Sequence, residues 1–61
     1  MPFRIVIRLD KDTYRIIVEN SMNLENWTLF QSKDWDTIKC QRDQFIRLFG
    51  VSDIPLLDPN D

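Results

Sequence analysis

The chain has no histidine, and its 61 residues include only one cysteine and one glycine. The absence of histidine removes the commonest general base and the commonest metal ligand in proteins. One cysteine, Cys40, cannot form a disulfide within the chain, and no cysteine and histidine set could hold structural zinc. With a single glycine there is also no phosphate-binding loop. We therefore expect no metal site, no cofactor and no enzymatic activity.

Long apolar runs are also missing. No stretch reaches the length of a membrane-spanning helix, and no continuous apolar segment follows the N-terminal charges as it does in a signal peptide. A lone thiol is typical of a reducing compartment. The sequence thus predicts a cytoplasmic protein that does not enter a membrane.

The short length limits stability. A chain of this size forms one domain and buries only about 60% of its unfolded surface. Disulfides and zinc, which stabilise many small domains, are both excluded here. Binding to a partner, or formation of a homodimer, would supply the missing stabilisation.

The charge is unevenly distributed. The net charge is −2, from 8 basic and 10 acidic residues. Residues 51–61 contain three aspartates and no base, so they carry −3, whereas residues 1–50 carry +1 from 8 basic and 7 acidic residues. A protein that binds nucleic acid mainly through phosphate contacts is usually clearly basic. Nucleic acid is therefore a disfavoured partner.

One amphipathic helix is predicted from Asp34 to Phe49. Its apolar positions, which include Trp35, Ile38 and Phe45, fall on one stripe at spacings of three and four residues. Ser32 or Asp34 can cap the first turn. Gly50 is placed where a left-handed residue ends a helix.

Three strands are predicted before the helix. Residues 3–9 and 13–19 alternate between apolar and polar side chains, as hairpin strands do. In their register Leu9 lies opposite Tyr14. Residues 26–31 form a third strand, for which a turn of helix is the alternative. The predicted fold class is α+β, with a three-stranded antiparallel sheet packed on one C-terminal helix (β-β-β-α) in residues 1–50.

The alternation also predicts an interaction surface on the sheet face that points away from the helix. Arginines surround exposed aliphatic side chains on this outer face. Arg4 lies opposite Glu19, which is a favourable pair, whereas Arg8 lies opposite Arg15, which is unfavourable unless an anion is near. Aromatic residues and arginine are enriched in protein interfaces. The candidate partner-binding residues are Arg4, Val6, Arg8, Arg15, Ile17 and Phe30.

Residues 51–61 are predicted to form an extended, acidic tail that contains Pro55 and Pro59, since proline prevents a regular helix. Three apolar side chains make this tail unlike a solvated one. They fold back over the edge of the core, form a short motif for a partner, or belong to a simply disordered end of the chain. These residues are Ile54, Leu56 and Leu57.

Residues 5–20 offer an alternative fold. The stretch IVIRLDKDTYRIIVEN resembles the start of a ribbon-helix-helix repressor, with a strand followed by a helix capped at Asp12. The resemblance implies a dimer that binds DNA. The strand preference of residues 14–18 favours the hairpin instead.

The sequence therefore predicts a non-enzymatic protein-interaction module that binds another protein. An inhibitor, adaptor or accessory subunit, of the kind that phages and compact genomes encode, fits this description. The alternative is a nucleic-acid-binding or regulatory protein that uses Arg4, Arg8 and Arg15 on the outer face, or a dimer of the ribbon-helix-helix kind.

Overall fold

A computed structural model describes residues 2–57 of the chain. In chain order the elements are β1 (Phe3–Asp10), β2 (Thr13–Asn20), β3 (Asn26–Ser32), α1 (Trp35–Phe49) and β4 (Leu56–Leu57). The sheet has the strand order β3-β2-β1-β4, in which β4 runs parallel to β1 and the other pairs are antiparallel. The α+β class is confirmed, but a fourth strand makes the sheet mixed rather than wholly antiparallel.

The β1–β2 hairpin has the predicted register, with Leu9 opposite Tyr14 and Ile5 opposite Val18. Lys11, the first residue of the turn, has a φ of 57°. A positive φ at this position is typical of the primed turns that join tightly paired strands, and here lysine adopts it in place of the usual glycine or asparagine. Alternation along both strands then places the large apolar side chains on the face that α1 covers.

A β-bulge interrupts the pairing of β3 with β2. Ile16 lies opposite Phe30, but Ile17 lies opposite Thr28, so Leu29 is an extra residue in β3. One extra residue reverses the alternation of side chains beyond it. Phe30 consequently shares the helix-covered face with Ile16 and packs against the core. The prediction that Phe30 lies on the outer face is wrong, because it assumed an uninterrupted period of two.

Helix α1 has the predicted caps. The Oδ2 atom of Asp34 accepts hydrogen bonds from the Thr37 backbone N–H at 3.1 Å and from the Thr37 hydroxyl at 2.6 Å. At the other end Gly50 is left-handed, with φ of 66°, and its N–H donates to the Ile46 carbonyl at 3.0 Å. Both ends of the helix are therefore determined by local sequence, as expected.

Four isoleucines form the centre of the core. They come from β1, β2, α1 and the segment after the helix, and each is 0% exposed. Helix α1 packs over β2 and β3. The segment that follows the helix returns to β1 and supplies the fourth isoleucine. The four residues are Ile7, Ile16, Ile38 and Ile54.

The segment after α1 folds back onto the sheet. The Ile7 backbone N–H donates to the Pro55 carbonyl at 2.8 Å, and Leu56 and Leu57 then pair with β1 as β4. The prediction that these apolar residues cover the edge of the core is confirmed. The predicted acidic end of the tail, residues 58–61, lies outside the described residues.

The ribbon-helix-helix alternative is wrong at the level of the fold. Residues 14–18 lie within strand β2 and pair on both sides, with β1 and with β3. β-Branched residues dominate this stretch and favour a strand over a helix. Among the described residues no helix has both the length and the hydropathy needed to cross a membrane.

Candidate interaction surfaces

The structure places five of the six residues predicted to bind a partner together on the outer face. They occupy neighbouring positions of β1 and β2, and charged pairs lie on both sides of a central aliphatic pair. The sixth residue, Phe30, lies on the opposite side of the sheet. The five are Arg4, Val6, Arg8, Arg15 and Ile17.

The aliphatic pair at the centre of the outer face is buried. Val6 is 2% exposed and Ile17 is 6% exposed. Arg8 and Glu19 lie on either side of this pair, and they join across it: Arg8 Nε donates to Glu19 Oε2 at 2.7 Å and Nη2 donates to Oε1 at 3.3 Å. Arginine stems commonly cover apolar surface in this way. The prediction that Val6 and Ile17 are exposed is therefore wrong.

The charges of the outer face are paired. Arg4 Nε donates to Glu19 Oε1 at 2.9 Å, which confirms the predicted cross-strand pair. Arg15 Nη2 lies 3.1 Å from Asp10 Oδ2. Arg8 and Arg15 are directly opposite each other, yet each turns towards a different carboxylate, which relieves the repulsion expected from the sequence.

Glu19 holds this arrangement together. Its side chain is 19% exposed and accepts hydrogen bonds from two arginines. The hydrogen bond from Arg8 lowers the pKa of Glu19 below its ordinary value, against the opposing effect of partial burial, and Arg4 adds to the lowering. Glu19 therefore remains ionised under neutral conditions and neutralises part of the arginine charge.

A second surface surrounds one end of the sheet, where β1 begins and the β2–β3 loop turns. Four large apolar side chains lie there, and we call them the end patch. Two in the loop are more than four-fifths exposed, and two on the strands are about half exposed. The residues and exposures are Phe3 47%, Met22 82%, Leu24 83% and Trp27 47%.

Hydrogen bonds hold the loop of the end patch in one conformation. The Asn20 backbone N–H donates to the Glu25 carbonyl at 2.8 Å, and the Leu24 N–H donates to the Asn20 carbonyl at 2.9 Å. Side-chain oxygens of Asn20 and Asn23 accept from the Met22 and Glu25 N–H groups at 2.9 and 3.1 Å. The apolar side chains are thus presented by an ordered loop.

Leu24 has an unusual backbone conformation. Its φ is 61°, in the left-handed region that residues with a Cβ rarely occupy. This conformation costs about 1–2 kcal/mol for an ordinary residue. Because the Leu24 side chain is 83% exposed, its burial within this chain returns little of that cost.

A depression lies on the outer face beside Leu24. It has a volume of about 350 Å³, and Leu24 borders it together with the charged network of the outer face. Leu24 is therefore the part of the end patch that adjoins this network, whereas the strand register places Phe3 and Trp27 on the helix-covered face. The other residues around the depression are Arg4, Arg8, Glu19, Asn20, Ser21 and Asn26.

Sequence reasoning missed the end patch. Residues 20–25 separate the predicted second and third strands, and they combine the large apolar residues Met22 and Leu24 with turn-forming asparagines. Large apolar residues in a turn-forming segment are the sequence feature that indicates an exposed apolar loop. Trp27 was correctly assigned to a strand, but its half-exposed position depends on how far α1 extends over the sheet.

The tail residues, Cys40 and the acidic side chains provide weaker candidates for a functional site. Ile54 belongs to the core, so within this fold it cannot act in a free peptide motif, whereas Leu56 is 48% exposed. Cys40 is exposed. In residues 2–57 no group of three or more histidine, cysteine, aspartate or glutamate side chains is arranged to hold a metal ion.

Comparison of the chain with protein-family models, with curated proteins and with solved structures finds no match.

Proposed function

We propose that this protein is a small, non-enzymatic protein-interaction module, such as an inhibitor, adaptor or accessory subunit, which binds a partner protein through the end patch. The observation that carries the proposal is Leu24, a large apolar side chain that is 83% exposed in a strained backbone conformation. The loop uses this backbone conformation, but asparagine would adopt it at lower cost than leucine. An exposed leucine at a strained position that does not require it points to a functional role.

The composition and rigidity of the end patch support this role. Aromatic residues and methionine are enriched in protein interfaces. Phe3 and Trp27 contact each other edge to face, with ring centroids 6.0 Å apart. Because the loop is already ordered, less conformational entropy is lost on binding. The neighbouring Arg4 and Arg8 supply polar contacts at the border of the same region.

Nucleic-acid binding through Arg4, Arg8 and Arg15 has weaker support. Ion pairs with Glu19 and Asp10 engage all three guanidinium groups, so phosphates would have to compete with carboxylates. A phosphate-dominated complex also weakens steeply as salt is raised, whereas an apolar interface does not.

The test is capture of partners from a lysate of the source cells, with and without nuclease, followed by mass spectrometry. Wild-type protein is compared with the double variant Met22→Ser/Leu24→Asn. The control is Leu48→Gln, which removes a side chain that is 71% exposed on α1, far along the chain from the end patch. We expect one protein to be captured by the wild type and by Leu48→Gln and to be lost with the double variant.

The outcomes separate the hypotheses. Equal capture by all three proteins would refute the end patch as the binding surface. Capture that disappears with nuclease, or with a modest increase in salt, would replace the proposal with the nucleic-acid alternative. Loss of capture with Leu48→Gln as well would show that general surface hydrophobicity, rather than the end patch, retains the partner.

A further inference from the structure

The two edges of the sheet differ in their protection against pairing with another strand. β4 is two residues long and follows Pro55. β3 is seven residues long and contains neither a charged residue nor a proline. Natural proteins usually shorten an edge strand, or place lysine or proline on it, to prevent association. The β3 edge has neither of these two features, although it contains the bulge at Leu29, which lies between Thr28 and Gln31.

The hydrogen-bonding pattern shows which groups of β3 point away from the sheet. The Asn20 backbone N–H points towards the β3 side, because it donates to the Glu25 carbonyl. Backbone groups alternate along a strand, so β2 directs every second residue from Tyr14 to Asn20 at β3. The partners of the intervening residues are Gln31, opposite Arg15, Thr28, opposite Ile17, and Asn26, opposite Glu19. The backbone groups of Thr28 and Gln31 therefore point outwards.

We propose that β3 pairs antiparallel with β3 of a second copy of this chain around a two-fold axis, which joins the two sheets. A two-fold interface brings the same surface of each copy together. The strand Asn26–Ser32 is uncharged, so it meets itself with no repulsion between like charges on the paired strands. Trp27 of the end patch lies on β3, but its backbone groups face β2. The pairing uses the outward backbone groups of β3, so it does not depend on the function proposed for the end patch.

The size of this edge sets the expected strength of the dimer. A strand of seven residues is about 23 Å long, and the molecule is 16 Å across its shortest dimension. The side is thus roughly 370 Å² per copy, below the roughly 500 Å² per partner at which interfaces become stable. The dimer therefore dissociates on dilution, with a Kd in the micromolar range or weaker.

The test compares Gln31→Pro with Gln31→Ala. Proline removes the outward N–H without removing a hydrogen bond of the β2–β3 ladder, whereas alanine keeps the N–H and removes the same exposed side chain. Sedimentation velocity, over a hundredfold concentration range that reaches about 1 mM, measures the mass. We expect a dimer at the highest concentration for the wild type and Gln31→Ala, and a dimer at least tenfold weaker for Gln31→Pro.

Amide hydrogen exchange of the wild type provides a second measurement that needs no variant. In the dimer, the Thr28 and Gln31 amides become protected as concentration rises, while protection of the Phe30 amide, which faces β2, changes little. A monomer at every concentration would overturn the proposal. A dimer that leaves the Thr28 and Gln31 amides unprotected would overturn it as well. Neither result would affect capture through the end patch.

Discussion

The outer face and the end patch both combine apolar side chains with neighbouring arginines. Within the fold, the aliphatic side chains are buried only on the outer face. On the outer face the Arg8–Glu19 ion pair covers Val6 and Ile17, which are nearly inaccessible. In the end patch Leu24 stays exposed in spite of backbone strain. The difference indicates that the outer face mainly stabilises this small fold, whereas the end patch is open to another molecule.

The largest expected effect comes from the centre of the outer face. Ile17→Ala removes a buried side chain and leaves a cavity beneath the ion pair, so we expect a loss of about 2–4 kcal/mol in the free energy of unfolding. Met22→Ala removes a side chain that is 82% exposed and should change that free energy by less than about 0.5 kcal/mol. Urea denaturation of both variants measures the contrast.

Equal effects of these two substitutions would remove the distinction between the surfaces. A small effect of Ile17→Ala would mean that the outer face does not contribute to stability. A large effect of Met22→Ala would mean that the loop packs against the domain and is not free for a partner.

The second effect concerns Glu19. Glu19→Gln keeps the shape of the side chain but removes the charge that pairs with Arg4 and Arg8. We expect a loss of about 1–2 kcal/mol at neutral pH, because hydrogen bonds to charged, partly buried groups are worth more than exposed ones. Thermal unfolding at pH 7 measures the loss. No change would show that the arginines find equivalent partners in water.

Glu19 also predicts a pH dependence. Its pKa is lowered in the folded protein, so its contribution to stability is present above the ordinary value of 4.5 and is lost as the pH falls through the lowered pKa. Asp34 contributes in the same direction, because the Thr37 hydroxyl and N–H lower its pKa. We expect the decrease in stability below about pH 4.5 to be smaller in Glu19→Gln than in the wild type. An unchanged pH profile would contradict the role of Glu19.

Residues close in sequence made most of the fold predictable. The helix ends follow from Asp34 and Gly50, and the hairpin register follows from alternation on either side of a two-residue turn. The bulge at Leu29 was not predictable in the same way, because the sequence of residues 26–31 fits a regular strand as well as a bulged one. The bulge forms where it allows Phe30 to join the core, which depends on the position of α1.

The candidate site was harder to predict than the fold. Arg4, Arg8 and Arg15 were correctly placed on one face, and the Arg4–Glu19 pair was identified. The diagonal contact between Arg8 and Glu19 does not follow from the strand register, which places Arg8 opposite Arg15 and Glu19 opposite Arg4. That contact buries Val6 and Ile17, and so it reverses the interpretation of the surface.

The third effect is a gain in stability. Asparagine tolerates the left-handed conformation better than leucine does, so Leu24→Asn should raise the free energy of unfolding by about 1 kcal/mol. For a domain of this size the Tm rises by roughly 4–8 °C. Calorimetry measures the change. Leu48→Asn is the matched control, since Leu48 is exposed on a helix where asparagine is less favourable, and it should not stabilise the protein.

A loss of stability in Leu24→Asn would show that Leu24 contributes to folding, which would weaken the case for the end patch. A gain in stability together with unchanged capture of a partner would separate strain from binding. A gain in stability combined with reduced capture would support the conclusion that Leu24 serves binding rather than folding.

The smallest effect distinguishes the two arginines bound to Glu19. The Arg4 side chain is 53% exposed and makes one hydrogen bond to Glu19, whereas Arg8 is 23% exposed and makes two. Exposed ion pairs contribute little, so Arg4→Gln should cost less than about 0.5 kcal/mol and Arg8→Gln about 1 kcal/mol or more. Urea denaturation in low and high salt compares them. If Arg4→Gln cost as much as Arg8→Gln, the cover over Val6 and Ile17 would depend on both arginines, and the outer face would be a cooperative network rather than one ion pair.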